Sequence, residues 1–147
     1  MQPSRILPDL QCSLLCEDVR QEANGKFLLI GVLNFIPVPQ VPITAHRLLF
    51  YNRWTAGVGE FLQTIRLIAP DQVTELSKSE TKFALGEPAA YVINVAVFGN
   101  VTFSVAGIYF VEVLVDGVMK IRYPLPVAIV PPPGANPQAP PAKPGAV

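Results

Sequence analysis

The chain of 147 residues is 50% hydrophobic and 15% charged, and its 11 basic residues balance its 11 acidic ones. A chain of this length hides roughly 68% of its unfolded surface, which makes one core and leaves little for a second domain. Zero net charge removes the attraction that nucleic acid or an anionic lipid surface needs, and also the self-repulsion that keeps copies apart.

The opening residues hold no apolar run of signal-peptide length, because Pro8 and Asp9 interrupt the stretch after Arg5. Cytoplasmic residence is the default expectation, with a virion or another exported assembly as the other setting. Residues 10–22 and 26–35 read as two strands flanking Asn24-Gly25, the dipeptide favoured in type I′ hairpin turns because both central residues need a positive φ. Cys12 and Cys16 fall four apart on the first strand, so their Cα atoms stand about 13 Å apart. A disulfide needs less than about 7 Å, so reduced core or half-core thiols are expected. The single histidine, His46, is distant in sequence, and no metal site is expected.

Pro37, Pro39 and Pro42 deny a ladder to the next connection. Residues 45–56 and 59–69 are expected to pair as a second hairpin around Gly57. The first of them carries Phe50, Asn52 and Trp54 on one face. A tryptophan in that setting anchors a core or, in the alternative reading, offers a surface on which a glycan or peptide stacks. Phe50, Asn52 and Trp54 are therefore the candidate ligand-binding residues. Residues 73–85 are polar and poorly patterned, a strand or a crossover.

Residues 88–111 carry no charge and are long enough to span a bilayer. Their flanks are Glu87 and Glu112 rather than basic, Gly99-Asn100 is a turn dipeptide, and Val101, Phe103 and Val105 alternate with Thr102 and Ser104. Two buried strands, 90–98 and 101–105, are predicted with a turn between them, and no membrane span.

The last hairpin, 108–115 and 118–126, turns at Asp116-Gly117. A two-residue turn sets Val115 opposite Val118. One face then carries Tyr109, Val111, Val113 and Val115 beside Val118, Lys120, Arg122 and Pro124. The other carries Ile108, Phe110, Glu112 and Leu114 beside Met119, Ile121, Tyr123 and Leu125. Both faces are largely apolar, although a sandwich sheet needs only one. Leaving four large side chains wet forgoes roughly 6–12 kcal/mol at about 1.5–3 each, so a cover is predicted: the tail, a loop or another subunit. The blander reading is that Glu112, Lys120 and Arg122 keep the hairpin wet enough for scattered apolar residues.

From Pro131 the composition turns proline-rich, with Lys143 the only charge, and residues 131–147 read as an extended polyproline-like tail. The candidate interface is therefore Ile108, Phe110, Leu114, Met119, Ile121, Tyr123 and Leu125 together with Pro131, Pro132 and Pro133. Catalytic residues and cofactors are not predicted. His46 has no neighbouring carboxylate and nucleophile in sequence, and Glu17 and Asp18 point to opposite faces of one strand. No phosphate-binding glycine loop or nucleophile elbow occurs.

The segment from Leu15-Cys16-Glu17-Asp18-Val19-Arg20 through Asn24-Gly25-Lys26-Phe27 to Gly31-Val32 resembles the N-terminal hairpin of an uncharacterised family of small bacterial proteins. Those proteins end in a Gly-x-Tyr…Val-Asp-Gly hairpin, matched here by Gly107, Tyr109, Val115, Asp116 and Gly117. The resemblance covers the two ends of the chain and implies a small all-β domain of unknown function, with no catalytic residues to carry over. The proline-rich tail and the apolar character of the last hairpin go beyond that pattern.

The expected fold is an all-β, antiparallel, immunoglobulin-like β-sandwich of about eight or nine strands over residues 1–130, followed by the tail. The expected function is a non-enzymatic assembly subunit that self-associates through apolar sheet surface and the docking tail, in a phage or virus particle, a filament or another large complex. The alternative is a soluble adaptor or ligand-binding module working as a monomer or dimer.

Overall fold

Apolar residues at period two, broken by turn residues, build nine strands in the computed structural model, which describes residues 5–131; Pro132 and Pro133 lie outside the described residues. The strands are β1 (Asp9–Gln21), β2 (Phe27–Val32), β3 (Ile36–Val38), β4 (Ile43–Thr55), β5 (Gly59–Ile68), β6 (Glu75–Leu85), β7 (Tyr91–Phe103), β8 (Gly107–Val115) and β9 (Val118–Ile129). They form two sheets, ordered β2-β1-β4-β7 and β3-β9-β8-β5-β6. Among the described residues no helix is long and apolar enough to cross a membrane.

The two sheets share one core. Leu15, Phe50, Trp54, Ala96 and Phe103 come from the four-stranded sheet and meet Phe61, Ile65, Tyr109, Val111 and Leu125 from the five-stranded one. Trp54 stacks on Phe83 at 5.4 Å, and Phe103 meets Tyr109 edge-on at 5.1 Å, so aromatic pairs bridge the layers at both ends.

Four local expectations are corrected. The stretch around Gly57 is not a hairpin turn: β4 and β5 lie in different sheets, and Gly57 sits where a Cβ would come 2.7 Å from the Pro8 side chain. Glycine is needed there for close approach of two backbones, with Ile6 and Val58 exchanging hydrogen bonds beside it at 3.0 Å each. Gly99-Asn100 is not a turn either. The strand runs through it as β7, held against β4 from Thr55↔Tyr91 to Ile43↔Phe103, with Asn100 alone at φ 53. Twelve paired positions outweigh one local turn preference. Thirdly, the proline-rich connection does form a strand. β3 carries Pro37 but lies at a sheet edge, where a missing N–H costs no ladder bond, and it pairs parallel to β9, so the fold is not wholly antiparallel. Finally, only Gly25 (φ 89) is left-handed in the first hairpin turn, whereas Asp116 and Gly117 (φ 48 and 80) both are in the last. The type I′ geometry belongs to the second turn alone.

Candidate functional site

Phe50, Asn52 and Trp54 do share a face of β4, and it is the inner one: each is 0% exposed. They are interior anchors and not a ligand surface. Asn52 and Trp54 reach across to Gln63 on β5. Gln63 Oε1 accepts from Asn52 Nδ2 (3.1 Å), Trp54 Nε1 (2.7 Å) and Asn94 Nδ2 (3.2 Å). The Asn52 Oδ1 and Gln63 Nε2 atoms find no partner in this buried cluster. The polar residues that the sequence offers as a binding feature thus join the sheets internally.

The last hairpin is apolar front and back only in part. Val115 faces Val118 and Leu114 faces Met119 as expected, but the next pair is Val113↔Ile121, which leaves Lys120 in a bulge. A one-residue slip turns every later side chain to the other face. Leu125 therefore enters the core at 1% exposure, and Tyr123 turns inward, half-buried, with its hydroxyl 3.4 Å from Ser13 Oγ. Burial pushes the Tyr123 hydroxyl pKa up, an effect eased by the Ser13 hydrogen bond. Arg122 and Pro124 take their places outside, opposite Glu112 and Phe110. Of the proposed interface, Ile108, Met119 and Ile121 stay exposed, Phe110 and Leu114 are half-covered, and Pro131 is exposed.

What half-covers Phe110 is charge. The Arg122 guanidinium lies 4.1 Å from its ring centroid and its Nε stands 3.4 Å from Glu112 Oε2, while Arg66 pairs with the other Glu112 oxygen. Lys78 opposite Arg66 extends the row over four strands, β6, β5, β8 and β9.

The open edges of the two sheets differ sharply in their defences. β3 is three residues long and carries a proline, and β6 carries Lys78, Glu80 and Lys82. β7 is long and uncharged but packs beside β6. β2 carries no proline or charge of its own and packs against no further strand. Its one irregularity is Gly31 (φ 64), against which the Glu17 side chain lies. Its six residues, Phe27–Val32, hold no charge, it lies at the outer edge of its sheet, and Leu28, Ile30 and Val32 are 46%, 41% and 47% exposed. The signal is present in the sequence: in residues 27–30 neither alternate position is polar, unlike a strand with one wet face.

A cleft of about 370 Å³ lies between the tip of the β1–β2 hairpin and the outer face of β4 and β7. Phe27 meets Tyr51 edge-on at 5.7 Å, and Arg53 stands 4.5 Å from the Tyr91 ring centroid. Burial raises the Tyr51 pKa above the usual tyrosine value. Both cysteines are free thiols and burial pushes their pKa values up; His46 is exposed on β4. Among the described residues no group of three or more His, Cys, Asp or Glu side chains is placed to hold a metal ion.

The model of DUF6941, a family of unknown function, matches residues 11–128, from within β1 to within β9. That span takes in both hairpins on which the resemblance to an uncharacterised family rests, and all the strands between them. None of the curated proteins matches the chain.

Proposed function

Because the chain belongs to DUF6941, a family of unknown function, its role has to be read from its own surface, and we propose that it is a non-enzymatic structural subunit that self-associates by pairing sheet edges. The observation that carries this reading is the unguarded β2 strand. An exposed, uncharged, apolar edge is a template for another strand, and proteins that remain monomeric blunt such edges with lysine, proline or a cover. The other three edges of this molecule are blunted in those ways or packed against a neighbour. A second copy related by a twofold axis would lay its β2 antiparallel to the first, pairing the free backbone groups and bringing Leu28 and Ile30 of each copy together. On this reading the two sheets are the layers of an immunoglobulin-like sandwich, and a particle, filament or other large complex is the setting that such a subunit fits.

The test is the full-length chain carrying Ile30→Lys. Position 30 is exposed in the monomer, so the fold should lose no more than about 0.5 kcal/mol. Sedimentation equilibrium at rising concentration should show the wild type gaining mass and the variant gaining much less. A wild type that stays monomeric throughout, or a variant that associates as tightly, defeats the proposal.

A further inference from the structure

Identical edges that pair about a twofold axis close at a dimer, and anything larger needs a second, heterologous contact. The cleft at the β1–β2 hairpin tip has the chemistry for one. Aromatic side chains line it, Phe27, Tyr51 and Tyr91, together with the donors Arg53 and Lys26, and no carboxylate is among its lining residues. Arg53 has no acidic partner among the described residues, and its buried Nε has no hydrogen-bond partner at all. Unpaired donors beside ring faces, with no carboxylate near them, suit a ligand rich in acceptors. A polyproline helix is that ligand: proline has no N–H, the helix has no internal hydrogen bonds, and its free carbonyls and rings dock in aromatic-lined grooves.

This chain carries such a segment. Pro137-Gln138-Ala139-Pro140 and Pro141-Ala142-Lys143-Pro144 each place prolines three apart. We propose that segment 137–144 of one copy docks in the Phe27–Tyr51–Arg53–Tyr91 cleft of a neighbouring copy, an inference that rests on the assembly reading above and supplies its second contact.

The neighbour is identified by distances along the fold. The chain leaves β9 where Val130 N–H donates to Val38 O at 2.8 Å, the end at which Gly107 pairs with Val127 and Phe103 meets Tyr109. The cleft lies toward the other end of β7, at Tyr91. Thirteen residues of β7 span roughly 40 Å at about 3.3 Å each. From Pro131 to Pro137 a polyproline helix covers roughly 20 Å, and to Pro141 roughly 30 Å, at about 3.1 Å per residue. Tyr51 pairs with Val95, so the near side of the cleft lies roughly 26 Å from Phe103. Pro137 falls short of it, and only Pro144, at roughly 40 Å, reaches Tyr91. Segment 137–144 therefore cannot lie whole in its own copy's cleft, and the contact runs head to tail.

The experiment uses the full-length chain carrying Ile30→Lys, so that edge pairing is silent. One variant adds Tyr91→Ala, at a position 56% exposed; another adds Pro137→Ala, Pro140→Ala, Pro141→Ala and Pro144→Ala. Unchanged thermal midpoints establish that both remain folded. Residual association of the parent should weaken at least roughly tenfold in either variant, the order expected when an aromatic anchor is truncated. An equimolar mixture of the two should yield a one-to-one dimer and nothing larger, because one intact cleft then meets one intact tail. A labelled peptide of residues 131–147 should bind the tail variant and lose that binding when Tyr91→Ala is added. Peptide that fails to bind, or binds regardless of Tyr91→Ala, overturns the proposal. So does full displacement by inorganic phosphate together with equal binding of a proline-free control peptide, which marks an anion site instead. Association that falls with Ile30→Lys and ignores cleft and tail leaves the edge reading standing alone. Association that ignores Ile30→Lys and falls with cleft and tail removes the edge reading and leaves this one.

Discussion

The two sheets meet water with different chemistry. The five-stranded sheet lays Lys78, Arg66, Glu112 and Arg122 in a cross-strand row, and the Arg122 side chain covers the ring of Phe110. The four-stranded sheet has one outward ion-pair cluster, where Asp18 pairs with Arg20 (3.0 Å) and Arg47 (3.1 Å); Arg53 stands apart beside Tyr91, and Leu28, Ile30, Tyr91 and Val97 are left open. A chain with only 15% charged residues cannot guard both faces equally. Where long cationic side chains lie along apolar ones, their stems cover carbon and their heads keep the surface wet. The charge row therefore guards the five-stranded sheet at Phe110, while Ile108, Met119 and Ile121 stay open on the same sheet. The uncharged β2 edge of the other sheet is where a partner is expected.

The largest effect is expected where the two sheets are joined. Gln63→Leu removes the acceptor shared by Asn52, Trp54 and Asn94, leaving three buried donors without it. An unsatisfied buried donor costs about 1–3 kcal/mol, and the three are coupled, so a loss of roughly 3–5 kcal/mol is expected. That is a large share of the roughly 5–15 kcal/mol that holds a domain together. Urea unfolding should show a lower midpoint at an unchanged slope. A loss under about 1 kcal/mol would mean that the cluster rearranges freely and does not join the layers.

Next in size is a change that strips the guarded sheet of its centre. Glu112→Gln leaves Arg66 and Arg122 facing each other without the carboxylate between them. Glu112 is buried while both arginines are partly in water, so screening moderates the loss to about 1–3 kcal/mol. The corresponding change on the other sheet, Asp18→Asn, should cost less, because its partners are mostly solvated. Equal losses in the two variants would erase the distinction between a structural charge row and a surface cluster. If Arg122 loses its place over Phe110, the Glu112 variant should also begin to self-associate through that face, which light scattering would detect.

Much of the fold is legible in the sequence, and the places where it is not share a cause. Positions 50, 52 and 54 fall on one face because the period of two is a property of the strand itself. Which way that face points depends on Gln63, which is local to nothing in β4. The Asp116-Gly117 turn gives the paired faces of the last hairpin correctly up to Leu114↔Met119, and the pairing then slips at the Lys120 bulge. No residue type announces a bulge whose role is to turn Leu125 inward beside Tyr109. Gly57 and Gly99-Asn100 mislead in the same way: each carries a turn-like signal, and each is decided by a distant segment, Pro8 in one case and the whole length of β4 in the other. The cleft draws on the hairpin tip, β4 and β7, and only the fold brings Phe27, Arg53 and Tyr91 together.

The smallest effect expected is a pH dependence at the end of the guarded sheet. Asp116 opens the type I′ turn, accepts a hydrogen bond from the Leu62 N–H at 2.8 Å and pairs with Arg5, whose guanidinium also lies 4.9 Å from the Phe61 ring centroid. The hydrogen bond from Arg5 holds the Asp116 carboxyl below the usual aspartate range, with the Leu62 N–H helping and partial burial opposing. A carboxyl whose folded pKa lies below its unfolded value of about 3.9 stabilises the fold above that pH, and the contribution is lost as pH falls through the folded value. Asp116→Asn removes the charge while keeping a residue type that tolerates the left-handed backbone at φ 48 and can still accept from Leu62. The wild type should therefore exceed the variant by at most about 1 kcal/mol near neutral pH, since Arg5 is half in solvent, and the gap should close as pH drops below about 4. Urea midpoints measured across that range decide the point. A gap that persists unchanged into acid would place the effect in turn geometry rather than in the ion pair, and the guarded sheet would then owe less to its charges than the Glu112 and Arg66 contacts suggest.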